Sequence, residues 1–184
     1  MSESEVGRAF VAAVPPDDVL DAVDAAVSGI ELPSTARRTT RPQWHLTLQF
    51  LGNRVDFDAV AGALEALAVR RGDVCLGVAG AFPSERRGRV LWMGVSEGDA
   101  LLSQLAASVG ALLAPIGYPP DDRPYHAHLT LARLKAPTDL RPAVAALGPG
   151  PVGRPWTVEE VVLFQSKTGR TGAEYTARAR FPLG

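Results

Sequence analysis

The tetrapeptide HLTL is written twice in this chain, at His45–Leu48 and again at His128–Leu131, and the two copies hold two of its three histidines. Each copy sits in an apolar run, WHLTLQFL and HAHLTLARL, whose alternation reads as a β-strand. Side chains alternate across a strand, so residues i and i+2 share a face. His45 and Thr47 are therefore expected on one face, with Trp44, Leu46 and Leu48 turned into the core. His128 and Thr130 are expected to do likewise, with Leu129 and Leu131 inward. Each copy then offers one imidazole and one hydroxyl from a rigid element.

The surroundings of the motif repeat as well. The offset of 83 residues from His45 to His128 also carries Leu51 to Leu134, Asp56 to Asp139 and Leu64 to Leu147. An offset of 81 superposes Arg8 on Arg89, Val14 on Val95 and Leu20 on Leu101. RAFVAAV and RVLWMGV read as opening strands. A helix follows each, the first capped by Asp17 or Asp18 and the second opened by Asp99. Asp56 starts a further helix in the first half, DVCLGVA reads as its last strand, and residues 138–147 read as a short helix in the second. VEEVVLFQ and EYTARARF are the expected arms of a terminal hairpin around SKTGRTG. Each half is thus strand–helix–strand–helix–strand, a duplication rather than a solenoid. The expected fold is α+β, a single domain over residues 1–184. It has two pseudo-symmetric lobes, each an antiparallel or mixed sheet backed by helices, with the active-site groove between them. The first repeat spans about 8–80 and the second about 89–165, with a closing hairpin over 156–181.

Composition narrows the function. The 184 residues are 46% hydrophobic with a net charge of −1, enough for a real core and too little positive charge for a generally basic DNA-binding surface. Cys75 is the one cysteine, so an intrachain disulfide framework and a cysteine-rich metal site are excluded. The opening MSESEVGRAF has no signal pattern, and no apolar run approaches the ~18 residues of a membrane span. These features predict a cytoplasmic protein without membrane association, with a monomer as the default.

Two imidazoles facing each other across a groove can hold different protonation states near neutral pH. One accepts a proton from an attacking water while the other donates to the departing oxygen, as displacement at a phosphodiester requires. The two threonine hydroxyls can hydrogen-bond the non-bridging oxygens, where charge concentrates. This scheme needs no metal and no other cofactor. A competing reading makes His126, two before His128, the third ligand of a three-histidine zinc hydrolase. A further alternative is a non-catalytic RNA- or nucleotide-binding module that uses the groove only to grip phosphate. Arg133, two positions beyond Leu131, is placed on the His128 face within reach of a phosphate. Arg37, Arg38 and Arg41 enter the first motif, and Arg86 and Arg87 join the halves; together they can form an electropositive funnel for an RNA end. Tyr125 and Phe82 are candidates to stack a terminal base, and His126 a candidate at the substrate edge.

These residues resemble the two-histidine (2H) phosphoesterase superfamily, and within it the RNA 2′,3′-cyclic phosphodiesterases, also called 2′-5′ RNA ligases. RAFVAAVPP resembles the family's opening strand, WHLTLQFLG its first motif, RVLWMGV its middle strand, AHLTLAR its second motif and SKTGRTGAEYTARARFPL its closing hairpin. One departure is Ala127, where the family commonly has proline. The resemblance implies hydrolysis of a terminal 2′,3′-cyclic phosphate on RNA to a 2′-phosphomonoester. It makes His45 the proton donor to the leaving 3′ oxygen and His128 the acceptor from water, with Thr47 and Thr130 holding the phosphate. The residues alone leave the two histidine roles interchangeable, because the halves are pseudo-symmetric.

Overall fold

The computed structural model describes residues 6–169 and 172–184. Residues 1–5, part of the stretch read for a signal pattern, lie outside the described residues, as do Arg170 and Thr171 of the SKTGRTG turn. The chain runs β1 (Val6–Ala13), α1 (Asp17–Ser28), β2 (Ala36–Arg38), β3 (Leu46–Asp56), α2 (Phe57–Leu64) and β4 (Gly72–Phe82). It continues β5 (Gly88–Glu97), α3 (Asp99–Leu113), β6 (Leu129–Thr138), α4 (Arg141–Leu147), β7 (Pro151–Val158), β8 (Glu160–Thr168) and β9 (Ala173–Pro182). Two antiparallel sheets result, one ordered β3-β1-β8-β9 and the other β2-β6-β5-β4-β7.

The sheets do not coincide with the sequence repeats. The last strand of the first repeat, β4, pairs with β5 in the second sheet, while β8 of the second repeat pairs with β1 in the first. The helices follow the same exchange, α1 lying against β7 and α3 against β3. Two strands missing from the sequence reading, β2 and β7, add to the edges of the second sheet. The buried side chains of both sheets join one hydrophobic cluster that includes Val11, Leu46, Leu76, Leu105, Leu129 and Leu163.

Local chemistry sets the helix ends. Neither Asp17 nor Asp18 caps α1: Pro16 is its N-cap, and the two carboxylates lie in the first turn, where they meet the positive end of the helix. Asp56 does cap α2, accepting from the backbone N–H groups of Asp58 and Ala59 at 3.1 Å each. The stretch Asp99–Ile116 corrects one sequence expectation, for it is 18 residues long and apolar enough by length and composition to cross a bilayer. Its Leu102, Leu105, Val109 and Leu113 are buried, so it serves here as a core helix.

Both motif strands carry the same irregularity. β3 pairs Thr47 with Ala12 and Gln49 with Val11, leaving Leu48 as an extra residue. β6 pairs Thr130 with Trp92 and Ala132 with Leu91, leaving Leu131 extra. Each bulge shifts the alternation by one, so Leu48 and Gln49 are both buried, as are Leu131 and Ala132. The third residue after each threonine, Phe50 or Arg133, therefore returns to the His–Thr face.

Trp92 lies across Gly80 on the neighbouring strand, where a Cβ would stand 2.3 Å from its ring. Gly62, on the exposed side of α2, has nothing within 4 Å of that position. Gly80→Ala is expected to destabilise the protein by ~1–3 kcal/mol through overpacking. Gly62→Ala is expected to stabilise it by ~0.5–1 kcal/mol by improving helix propensity. Urea unfolding of the two variants checks the opposite signs.

Candidate active site

Each motif histidine stands one residue before its strand begins, and each ring is held in the same way. Nδ1 of His45 lies 2.8 Å from the carbonyl oxygen of Gln43, and Nδ1 of His128 lies 2.8 Å from that of His126. A carbonyl can only accept, so Nδ1 carries the proton and donates, leaving Nε2 as the working nitrogen of each neutral ring. Thr47 and Thr130 follow two residues later and are half-buried, while Trp44, Leu46, Leu48, Leu129 and Leu131 are buried beneath them. The alternation expected through each HLTL is therefore present.

Aromatic rings wedge both imidazoles. His45 stacks on Phe10 of β1 with centroids 4.5 Å apart and meets the edge of Tyr175 of β9 at 5.2 Å. His128 meets Phe82 edge-on at 5.0 Å. This packing excludes water and disfavours the charged ring. Burial pushes His45 down to about 4, opposed by the hydrogen bond to Gln43 and aided by the charges of His128 and Arg133. His128 is also held below its ordinary value, again by burial first, opposed by its bond to His126 and aided by the charges of His126 and Arg133. The Arg133 charge thus adds to the lowering of both rings, and the His128 charge to that of His45. His45 also borders a cleft of about 330 Å³ together with Trp44, Arg41, Asp17, Phe164 and Tyr175.

The remaining sequence candidates divide. Arg133 is brought to the site, but the bulge at Leu131 is what brings it there; strict alternation from His128 would turn it to the far face. Arg37 is its direct cross-strand partner on β2 and shares that face. Arg41 reaches the His45 cleft, yet its guanidinium is committed to α1 through a salt bridge to Asp17 at 3.0 Å and a short bond to Asp21. Arg38 turns away and donates to the carbonyls of Val27 and Ile30. Tyr125 is not available to stack a base as expected: its ring packs on the core and its hydroxyl is buried, and burial with the nearby Asp99 charge raises its pKa. Phe82 supports His128 and Trp92 from a half-buried position. His126 is exposed, with its ring 4.5 Å from Trp92 and 6.0 Å from His128. Among the described residues, no three His, Cys, Asp or Glu side chains are grouped to hold a metal ion.

Thr39 is a residue the sequence reading passed over. Its hydroxyl lies 2.6 Å from the carbonyl oxygen of Thr130 and 2.9 Å from that of Leu131, and it accepts from Trp44 Nε1 at 2.9 Å. Its backbone N–H also donates to Leu131 at 2.9 Å. One side chain therefore bonds the second motif directly and the residue beside His45. The other missed supports are Phe10, Tyr175 and Trp92. Phe10 was legible in principle, since Arg8, Phe10 and Ala12 alternate with Ala9, Val11 and Ala13, which join the central hydrophobic cluster.

Comparison with known proteins shows the family. Residues 15–170 match the model of the 2′-5′ RNA ligase superfamily. The chain is 33% identical to the RNA 2′,3′-cyclic phosphodiesterase of Thermus thermophilus over 187 residues, covering 96% of this chain and 90% of that protein. It is 32% identical to the enzyme of the same name from Escherichia coli over 155 residues, covering 82% of each. The crystal structure of apo E. coli LigT superposes with a TM-score of 0.79 at 27% identity, covering 98% of this chain and 99% of LigT. LigT complexed with 3′-AMP gives a TM-score of 0.78 at 27% identity, covering 97% and 99%. The chain belongs to the 2′-5′ RNA ligase superfamily.

Two measurements test this geometry. A folded-state pKa of about 4 for His45, against 6.5 in the unfolded chain, means that the unfolded state binds more protons between these values. The stability conferred by neutral His45 is then complete above about 6.5 and is lost as pH falls through about 4. Urea midpoints should fall across this window, and His45→Gln should flatten the fall. Thr39→Val removes the hydroxyl at nearly constant shape and leaves two buried groups short of a partner. It should cost ~1–3 kcal/mol in thermal or urea unfolding, with Thr39→Ser recovering most of the loss.

Proposed function

We propose that the chain hydrolyses the terminal 2′,3′-cyclic phosphate of RNA to a 2′-phosphomonoester by acid–base catalysis with its two histidines. The single observation that carries this reading is the matched pair of Nδ1–carbonyl bonds, which leaves two oriented Nε2 atoms in one shared field. His45 donates a proton from Nε2 to the leaving 3′ oxygen, and Nε2 of His128 takes one from the attacking water. Thr47, Thr130 and Arg133 hold the non-bridging oxygens as negative charge gathers on them. None of these steps calls on a metal ion. The relatives named RNA 2′,3′-cyclic phosphodiesterase support the substrate class.

Burial favours the neutral form of both rings in the empty groove. An anionic phosphodiester between them opposes that effect and supplies the incentive to protonate one. The deeper depression of His45 favours a second reading in which the roles are exchanged, with His128 as acid and His45 as base. The pH profile separates the two. The acid must be protonated, so its loss of a proton makes the alkaline limb; the base must be free, so its protonation makes the acid limb.

Turnover of a 2′,3′-cyclic nucleotide is expected in EDTA, with the product phosphate at the 2′ position. His45→Ala and His128→Ala should each lower kcat by ~10²–10⁴-fold in protein that still folds, as circular dichroism would check. The kcat/KM profile should be bell-shaped and displaced to the acid side of 6.5, and the limb that disappears in each variant names the role of the residue removed. Absence of wild-type turnover, or activity that depends on zinc, would sink the proposal.

A further inference from the structure

Arg37 and Arg133 face each other directly across the β2–β6 ladder. Directly opposed residues of an antiparallel pair project to the same side with Cβ atoms ~4.5–5.5 Å apart, and like charges so placed repel. Their neighbours fix which side this is. Ala36 is opposed to the buried Leu134, and Arg38 is opposed to the buried Ala132 and reaches the end of α1. Arg37 and Arg133 therefore take the opposite, groove-facing side. Both are exposed, and no ion pair or side-chain hydrogen bond joins either to another described residue. Arg41, by contrast, is neutralised by two aspartates, and Arg8 lies over the Phe50 ring. Two uncompensated guanidinium groups side by side cost stability in the free protein and suit a ligand with more than one negative charge.

The two arginines differ in their distance from the chemistry. Arg133 perturbs both catalytic imidazoles, whereas the charge of Arg37 is not among the causes of either shift. Arg37 instead extends to the turn of the β8–β9 hairpin, its Nη2 lying 2.3 Å from where a Cβ on Gly172 would stand. The line from the histidines through Arg133 to Arg37 thus leads out of the reacting site along the edge of the second sheet.

We propose, on the basis of the activity proposed above, that Arg133 and Arg37 form a two-phosphate subsite. Arg133 takes the reacting cyclic phosphate, and Arg37 takes the phosphodiester one nucleotide upstream. The preferred substrate is then an RNA end of at least two nucleotides rather than a mononucleotide 2′,3′-cyclic phosphate, which leaves Arg37 empty. Each phosphate neutralised by a cationic side chain contributes a salt-dependent increment of binding, ~0.7 in the logarithmic slope for a single strand.

The test compares 2′,3′-cyclic AMP with a cyclic-phosphate-ended dinucleotide, using the wild type, Arg37→Gln and Arg37→Lys. The wild type should favour the dinucleotide in kcat/KM by about tenfold or more. Arg37→Gln should abolish that preference, lower the dinucleotide's salt slope by ~0.7, and change the mononucleotide less than twofold; Arg37→Lys should recover part of the loss. Without ligand, Arg37→Gln should unfold at the same temperature as the wild type or higher, because it removes a repulsion. Equal loss on both substrates would place Arg37 at the reacting phosphate and overturn the proposal. No loss on either would make it an ordinary solvated arginine and overturn it equally. If the wild type turned over neither substrate, the activity itself would be refuted. Equilibrium binding of the 2′-phosphorylated dinucleotide would still read the Arg37 contact, and equal affinity in the wild type and Arg37→Gln would overturn it.

Discussion

The hydroxyl of Thr39 bonds both halves of the site at once. The two HLTL motifs lie on different sheets, so nothing in either ladder fixes one imidazole relative to the other. The chain entering the first motif solves this by visiting the second sheet on the way, as β2. Trp44 donates to the Thr39 oxygen, and Thr39 donates to the backbone of Thr130 or Leu131. A hydroxyl has one proton, so it serves one carbonyl at a time, and Thr130 at 2.6 Å is the nearer. Trp44 is buried and adjoins His45, and Thr130 is itself a motif residue, so two side chains and one backbone carbonyl link the two motifs.

Around that relay the site balances opposing demands. Aromatic rings hold the imidazoles but strip them of water, which works against a charge on either ring. The carbonyls of Gln43 and His126 partly restore it by favouring a protonated ring, and they orient the rings as they do so. Both rings are therefore poised toward neutrality.

Much of this was legible in the sequence because duplication doubled the signal. The spacing of HLTL set the two strands, and alternation within four residues put His and Thr on one side and leucines on the other. Asp56 as a cap and the terminal hairpin were equally plain, because each rests on contacts a few residues apart. What failed depended on partners distant in sequence. Arg133 does stand on the expected His128 face, but only because of the bulge at Leu131, which exists only against β5 and was not legible. Tyr125 looked like a free aromatic, but its hydroxyl is buried, and Arg41 like a free cation until Asp17 and Asp21 met it. Thr39 carried no local pattern at all; its role arises from a carbonyl 91 residues away. The exchange of β4 and β8 between the sheets was hidden for the same reason, because a repeat read along the chain does not say whose sheet it joins.

That exchange bears on how such a chain arose. A polypeptide containing one repeat would hold two strands of its own and a third with no place beside them. It could complete its core only by lending that strand to a second copy and borrowing one in return, which makes an intertwined homodimer its minimal folded unit. Gene fusion would turn this bimolecular assembly into an intramolecular one and free the copies from identity. Phe50 and Arg133 stand at equivalent positions of the two repeats, 83 residues apart like His45 and His128, so the repeats differ there by an apolar and a cationic side chain.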